Sequence, residues 1–333
     1  MPKKYFASAN SSEGFVNRFS EIFGGCRRLY VILGGPGTGK SRFLNEVAAH
    51  GNNVEYYYCS SDAESLDGIL VDGWLGLIDG TAPHIWNPTC IGAFEETVNL
   101  GAFWDSRLLM ANRAEIEALS AQKRAAYAEA YAFLEAIGKA EKGIEGRFLD
   151  ALDCEKLQRA ASRLLRGLTG DSGERKIGFC SALSMKGEVH LDTYEQAVRA
   201  VPISDSMGAA WLLLGELDRQ CAAHGIAARV APSPLFPNRL EAIELEGGEI
   251  SFFAGEGKDE ISVKRFFSPE KIRAMRQELR GVREVQARLK DYASEALSRA
   301  ATAHFALEEI YSEAMDFKAK EGFTERFCQE LFG

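Results

Sequence analysis

The sequence predicts an α/β fold made of two tandem units, each a small parallel sheet with helices on both faces followed by a helical hairpin. Three observations carry this expectation. First, an apolar run, a glycine-rich turn and an amphipathic stretch follow one another in Leu29-Tyr-Val-Ile-Leu-Gly-Gly-Pro-Gly-Thr-Gly-Lys-Ser-Arg-Phe-Leu44. Second, short apolar runs alternate with helical periodicity, and a stretch rich in Ala, Leu, Glu, Lys and Arg follows. Third, the first half of the chain returns in degenerate form in the second. The expected segments are a strand-rich unit over 1–105, helices over 106–172, the second unit over 173–265 and C-terminal helices over 266–333.

A chain of 333 residues can bury two cores of ordinary size, and 46% hydrophobic with 26% charged residues is a soluble globular composition. No apolar run reaches the length of a membrane span, and Met-Pro-Lys-Lys-Tyr-Phe-Ala-Ser has no apolar leader core, so a cytoplasmic protein with no membrane association is expected. The 7 cysteines are scattered and never spaced C-x-x-C, which argues against a disulfide framework and a structural zinc site. A net charge of −9 gives no footprint for general nucleic-acid binding.

In chain order, Tyr5-Phe6-Ala7 reads as extended. Capping residues over Asn10 to Glu13 precede Phe15, Phe19, Ile22 and Phe23 at helical spacing, which predicts a helix ending at Gly24-Gly25. The run from Gly34 to Ser41 then fits G-x-x-x-x-G-K-[ST], between a strand and a helix as that phosphate loop requires. Glycines let backbone N–H groups turn inward, and the following helix presents its positive end to an anion. The expected nucleotide-binding residues are Gly34, Gly35, Pro36, Gly37, Thr38, Gly39, Lys40, Ser41 and Arg42, with Lys40 on the β/γ-phosphates and Ser41 on Mg²⁺. This makes the two units P-loop NTPase-like in expectation.

Phe43, Leu44 and Val47 form the buried stripe of the first helix, which should stop near His50-Gly51. Val54 to Tyr58 is the second strand, and its carboxyl end runs into Cys59-Ser60-Ser61-Asp62, where open α/β sheets place ligand contacts. Asp62 is there a Mg²⁺ outer-shell group, an acceptor base or a substrate contact, or else a simple cap. Trp74 to Asp79 is the third strand, and Asp79, 39 residues after Lys40, is placed to reach the Mg²⁺ shell. No glutamate follows; Thr81 and His84 stand where a switch or γ-phosphate sensor can sit, with His84 able to act as acid or base, against a capped turn with a surface histidine. Ile85 to Trp104 is irregular and can cover the nucleotide. From Asp105 to about Thr169 two long helices are expected, interrupted near Gly138 to Gly146. Arg159, Arg163 and Arg166 share a face of the second, as a lid closing on triphosphate or as a solvated stripe.

The repeat joins Tyr5-Phe-Ala-Ser-Ala-Asn-Ser-Ser-Glu-Gly14 to Gly178-Phe-Cys-Ser-Ala-Leu-Ser-Met-Lys-Gly187, and Ser65-Leu-Asp-Gly-Ile69 to Arg239-Leu-Glu-Ala-Ile243. Ala200 to Leu213 falls where Val31 to Leu44 should return. Gly208 matches Gly39 there, Ala209 and Ala210 replace Lys40 and Ser41, and Ala254 at the end of Ile250 to Ala254 stands in for Asp79. Phosphate-binding and metal-binding side chains are lost together.

The combination of Gly34 to Ser41, Cys59-Ser-Ser-Asp-Ala-Glu-Ser-Leu-Asp-Gly68, Ile78-Asp-Gly-Thr-Ala-Pro-His84 and Asn99-Leu-Gly-Ala-Phe-Trp-Asp105 resembles a group of bacterial proteins, mostly firmicute, described as ATPases with two tandem P-loop units. The resemblance implies ATP binding over nearly the whole chain, but it normally implies two intact loops, and this second unit departs from that. The expected function is an ATPase that binds and slowly hydrolyses Mg-ATP at the first unit, beside a pseudo-NTPase unit with a structural or regulatory role. The alternatives are a kinase for a small molecule or nucleotide, and a non-hydrolysing ATP-binding scaffold. The partners implied are a nucleoside triphosphate and either a small-molecule acceptor or a protein.

Overall fold

A computed structural model describes residues 2–170, 172–205, 207–245 and 248–333. The first unit contains β1 (Lys3–Phe6), β2 (Ser8–Ser11), β3 (Gly14–Asn17), α1 (Phe19–Phe23), β4 (Arg28–Leu33), α2 (Lys40–Ala48), β5 (Val54–Tyr58), β6 (Leu66–Val71), β7 (Leu75–Asp79) and β8 (Glu95–Asn99). Helices α3 (Ser106–Ala111), α4 (Arg113–Ala151) and α5 (Cys154–Leu164) follow. The second unit contains β9 (Arg175–Ile177), β10 (Ser181–Ser184), β11 (Gly187–His190), β12 (Arg199–Ser204), α6 (Ala210–Ala223), β13 (Ala228–Pro232), β14 (Leu240–Leu245), β15 (Ile250–Ala254) and β16 (Ile261–Ser262). Helices α7 (Pro269–Glu313) and α8 (Phe317–Phe332) close the described chain.

The six-stranded sheets run β1-β5-β6-β7-β4-β8 and β9-β13-β14-β15-β12-β16, the same order with corresponding strands in corresponding places. The architecture is therefore α/β in two sheet-and-helix units, but each sheet is mixed where an all-parallel one is expected. In each, one strand, β6 or β14, runs antiparallel to both neighbours. The physical reason is chain length. A parallel crossover needs about a dozen residues or more, and the link from Tyr58 to Leu66 is too short for one. The next turn, Asp72-Gly73-Trp74 with Asp72 and Gly73 at φ of 50° and 75°, then folds β6 back onto β7 as a three-residue hairpin loop.

Between Asn10 and Phe23 the expected helix is replaced by the hairpin β2–β3, and only Phe19–Phe23 is helical. Of the polar residues that read as caps, Asn10 and Ser11 are fully buried, and Asn10 spends its hydrogen bonds across the molecule. Asn10 Nδ2 donates to the Leu183 carbonyl at 2.9 Å, and Tyr131 Oη donates to Asn10 Oδ1 at 2.8 Å. No break occurs at Gly138 to Gly146 either: α4 is a single 39-residue helix. Gly138 is a contact point, since a Cβ there would stand 2.8 Å from the Ser12 Cβ.

The long helices do not form hairpins on their own units. Instead α4 and α7 pack antiparallel on each other, with Ala130, Leu134 and Ile137 against Ala293, Ala296 and Leu297. Each then hands its terminal helix to the opposite unit. From α5, Leu157 and Ala161 enter the core of the second unit, and Arg159 bonds only along its own helix, to Glu155. Arg163 is exposed on the same helix, and Arg166 is exposed just beyond its end. The lid expected from these three arginines is thus ruled out, because its helix packs on the other unit. From α8, Phe323, Phe327 and Cys328 enter the core of the first unit, where Phe327 meets Phe43 and Tyr30. The exchange is pinned by matching backbone bonds: Asp105 N to Ala314 O and Asp316 N to Phe103 O on one side, Ser268 N to Ala151 O and Asp153 N to Phe266 O on the other.

Phe6 and Phe179, which the repeat makes equivalent, exchange a reciprocal pair of backbone hydrogen bonds of 2.9 and 3.0 Å. A residue paired with its own duplicate marks a local pseudo-twofold axis. Among the described residues no helix is long and apolar enough to cross a membrane.

Glu141, 2% exposed on α4, ties this frame together by accepting from Arg239 of the second unit at 2.6 Å, from Arg283 of α7 and from Gln286 at 2.9 Å. Removing it leaves the Arg283 guanidinium without its counter-charge and Arg239 with only Glu145, 3.6 Å away. Glu141→Ala should lower unfolding free energy in urea by about 3 kcal/mol, and Glu141→Gln by clearly less, because the amide oxygen still accepts. Equal losses would show that the charge contributes nothing.

Candidate functional site

Strands β4 and β7 are direct parallel neighbours with Ile32 opposite Asp79, so the glycine-rich loop and the Asp79 carboxylate leave the sheet at the same edge. Within the loop Gly37 and Gly39 have φ of 70° and 78°, the left-handed region where a side chain is strained. Lys40 opens α2 and folds its ammonium back over the loop, donating to the carbonyls of Gly34 at 2.9 Å and Gly35 at 2.8 Å, with Asp79 Oδ2 at 3.6 Å. Thr81 ties the two strand ends together: its N–H donates to Asp79 Oδ1 at 2.8 Å and its hydroxyl to the Gly34 carbonyl at 2.9 Å. Ser41 Oγ accepts from Leu66 N at 3.1 Å, which leaves its own proton and second lone pair free of that bond. Thr38 bonds within the loop, to the Gly35 carbonyl. Arg42 points to Glu46 and to Glu321 of α8.

Asp62 sits just beyond β5, accepting from the Ser65 hydroxyl at 2.8 Å, with Lys186 Nζ 3.9 Å away. It is both a local cap and part of the charge field around the loop, since its charge is felt by His304 and Glu308. His84 is neither a surface residue nor directed at the loop. It is 5% exposed, stacked on Phe19 at 5.4 Å, with Nε2 3.2 Å from Asp67 Oδ2.

The cover over the loop comes from α7 and α8, elements that the sequence alone does not connect to it. Gly35 lies against the Tyr311 ring, where a Cβ would approach to 2.7 Å. Gly37 lies against the Glu308 backbone, and Ser312 Oγ donates to the Gly37 carbonyl at 3.2 Å. Burial pushes the pKa of the Glu308 carboxyl upward, and the nearby Gly37 N–H opposes that shift. Beside it, Lys123 of α4 lies 3.0 Å from His304 Nδ1. Burial lowers the pKa of Lys123, and burial together with the Lys123 charge brings His304 down to about 4. Lys320 of α8 is fully buried next to Gly39, and its Nζ has no hydrogen-bond partner. None of these four lies in a motif; only their distance in the fold from Lys40 reveals them.

The second unit keeps the frame and closes the site. Ile203 pairs with Ala254 as Ile32 pairs with Asp79, so the lost carboxylate is at the equivalent register. From that strand residue to the left-handed glycine there are seven steps in the first unit, to Gly39, and five in the second, to Gly208 at φ 72°. The loop is two residues shorter; Ser206 within it lies outside the described residues. Asp205 Oδ1 accepts from the N–H groups of Ala209 and Ala210 at the start of α6, and the Arg283 guanidinium covers Gly208 and bonds the Met207 carbonyl at 3.1 Å. An internal carboxylate thus occupies the position that the helix end offers to an anion.

His304 generates a pH prediction. A histidine held at about 4 resists protonation in the fold while the unfolded chain takes a proton near 6.5. The stability it contributes is complete above about pH 6.5 and is lost as the pH falls toward 4. In urea titrations at pH 7 and pH 4.5, the wild type should lose about 2 kcal/mol more than His304→Gln. Parallel losses would contradict the assignment.

No family model, curated protein or solved structure matches the chain.

Proposed function

We propose that the first unit binds a Mg²⁺–nucleoside triphosphate, read as ATP, at Gly34 to Arg42, and hydrolyses it slowly, with α7 and α8 responding to occupancy. The observation that carries this is the convergence at one sheet edge of a left-handed glycine loop, the Lys40 ammonium, the Ser41 and Thr81 hydroxyls and the Asp79 carboxylate. The donor set suits Mg²⁺, a hard cation that takes oxygen ligands and keeps several waters. Ser41 Oγ and Asp79 would hold it, and it would supply charge neutralisation on the phosphate oxygens. Lys40, now resting on two carbonyls, is free to turn onto the β/γ-phosphates, while loop N–H groups and the α2 terminus bind the same charge.

The response follows from Glu308. Gly37 lies against the Glu308 backbone and the Glu308 carboxylate is near the Gly37 N–H, a group this reading assigns to phosphate, so a triphosphate must displace the end of α7 or repel it. Because α7 carries α8 and packs along α4, displacement there reaches both units. The second unit is a partner that supplies this cover and does not itself bind nucleotide.

A second reading, phosphoryl transfer to a small acceptor, is favoured by one observation. The residues after Asp79 are Gly80 and Thr81, so no glutamate is placed there to position water. In that case the edge from Cys59 to Asp62 would hold the acceptor.

Turnover of Mg-ATP by the full chain, with and without a panel of nucleosides and small hydroxylated acceptors, separates the readings. Phosphate release without acceptor that Lys40→Ala lowers by 100-fold or more supports the ATPase, release that needs an acceptor supports the kinase, and no nucleotide binding at all overturns both. Glu308→Gln should tighten nucleotide binding by roughly tenfold, about 1.4 kcal/mol, in an equilibrium titration. Unchanged or weaker binding would contradict the displacement step.

A further inference from the structure

Cys59 follows β5, Asp67 lies in β6 and His84 lies in the loop after β7, so three adjacent strands bring a thiol, a carboxylate and an imidazole together below the glycine-rich loop. One ligand atom from each lies within 4.8 Å of the other two. From these residues we propose a binding site for a zinc-type divalent cation, separate from the Mg²⁺–nucleotide position and independent of whether the loop binds nucleotide.

The His84–Asp67 distance already fits such an ion, and Cys59 lies within 4.8 Å of both. Tetrahedral zinc takes imidazole and carboxylate atoms at about 2.0–2.1 Å and thiolate sulfur at about 2.3 Å, so neighbouring donor atoms stand roughly 3.3–3.7 Å apart. His84 Nε2 and Asp67 Oδ2 are already 3.2 Å apart. The mixed sulfur, nitrogen and oxygen set suits zinc and its softer neighbours and is poor for Mg²⁺, which takes oxygen.

Burial makes the cluster costly without a cation. Asp67 is 3% and His84 5% exposed, yet Asp67 Oδ2, an atom that would face the ion, has no hydrogen-bond partner. Buried polar atoms are nearly always satisfied, and unsatisfied ones cost stability unless something supplies the missing partner. Besides Asp67, the imidazole contacts Phe19, on which it stacks at 5.4 Å, and Phe15, to which it stands edge-on at 5.1 Å.

The internal repeat provides a control. Glu241 occupies the place of Asp67 in β14, with Ser233 in the place of Cys59, and there Ser181 Oγ donates to the carboxylate while Cys180 Sγ lies 3.9 Å from it. In the first unit the equivalent of Ser181 is Ser8, which turns away to Ser60 at 3.1 Å. One unit therefore meets its buried carboxylate with a hydroxyl donor and a thiol. The other surrounds it with a thiol and an imidazole, the side chains that ligate metal.

On binding, the Cys59 S–H bond breaks, the sulfur lone pair forms the metal–sulfur bond and the proton leaves to solvent. Thiolate and carboxylate then neutralise a 2+ ion. Three protein ligands leave one tetrahedral position for water or another small ligand.

The full chain, stripped with a chelator in reducing buffer, is titrated with Co²⁺ and followed by absorption. One equivalent per chain should bind, with a sulfur-to-cobalt charge-transfer band and the visible bands of a tetrahedral ion, all displaced by Zn²⁺. Cys59→Ser should lose the charge-transfer band, His84→Ala should weaken Co²⁺ affinity at least tenfold, and Cys90→Ser, an exposed cysteine elsewhere, should change neither. Zn²⁺ should also raise the melting temperature of the wild type and of Lys40→Ala but not that of Cys59→Ser. A wild type that takes up no Co²⁺ or Zn²⁺ at micromolar concentration overturns the proposal without reference to any variant. A charge-transfer band that survives in a folded Cys59→Ser, checked by circular dichroism, also overturns it.

Discussion

The antiparallel pairing of α4 with α7 is the constraint on which the rest of the molecule depends. Each helix starts on one unit and ends on the other, and each delivers a short amphipathic helix to the core it reaches. Neither sheet unit can complete its core from its own contiguous segment, since α8 comes from beyond the second unit and α5 from between the two. The small side chains Ala130, Ala293 and Ala296 let the helices approach closely enough to make this exchange a packed interface. Folding of the two halves is therefore coupled, because losing the long-helix pair would expose apolar surface on both sheets.

Duplication also explains how the units came to differ. Across the pseudo-twofold axis Glu55 and Arg229 occupy equivalent strand positions and form a buried ion pair, with the guanidinium 4.6 Å from the Tyr5 ring. In a true dimer the same position would face its own copy, and like charges would repel. Joined in one chain, the halves have become complementary. The same divergence separates the loops: one keeps Lys40 and Asp79, while the other has shortened and placed Asp205 against its own helix terminus. Keeping the second unit is then physically sensible even without ligand binding, because the helices that cover the first loop are rooted in it.

Much of this was legible in the chain. The strand, glycine loop and helix around Lys40 were readable because three local signals coincide there, and the loss of Lys and Asp in the repeat located the altered second loop. The β6 strand escapes such a reading although Asp72-Gly73 between apolar runs is a hairpin signal, because a strand, glycine loop and helix in succession imply a parallel sheet. The β2–β3 hairpin was unreadable for another reason: Ser8, Asn10 and Ser11 are fully buried polar residues, so hydrophobic periodicity has nothing to report. Gly138 looked like a helix break and is instead a close contact. Lys123, His304, Glu308 and Lys320 carried no local signal at all, because their proximity to the loop comes from the helix exchange. Cys59, Asp67 and His84 escaped for a similar reason, being spaced by sheet topology and not by any short motif.

The most direct test of the account is the stoichiometry of Mg²⁺–ATP binding to the full chain by calorimetric titration. One nucleotide per chain is predicted, since the two-residue-shorter second loop has its helix end occupied by Asp205 and no counterpart of Lys40 or Asp79. Two bound nucleotides per chain, or none, would contradict the claim that a single competent site is built on the first unit and covered from the second.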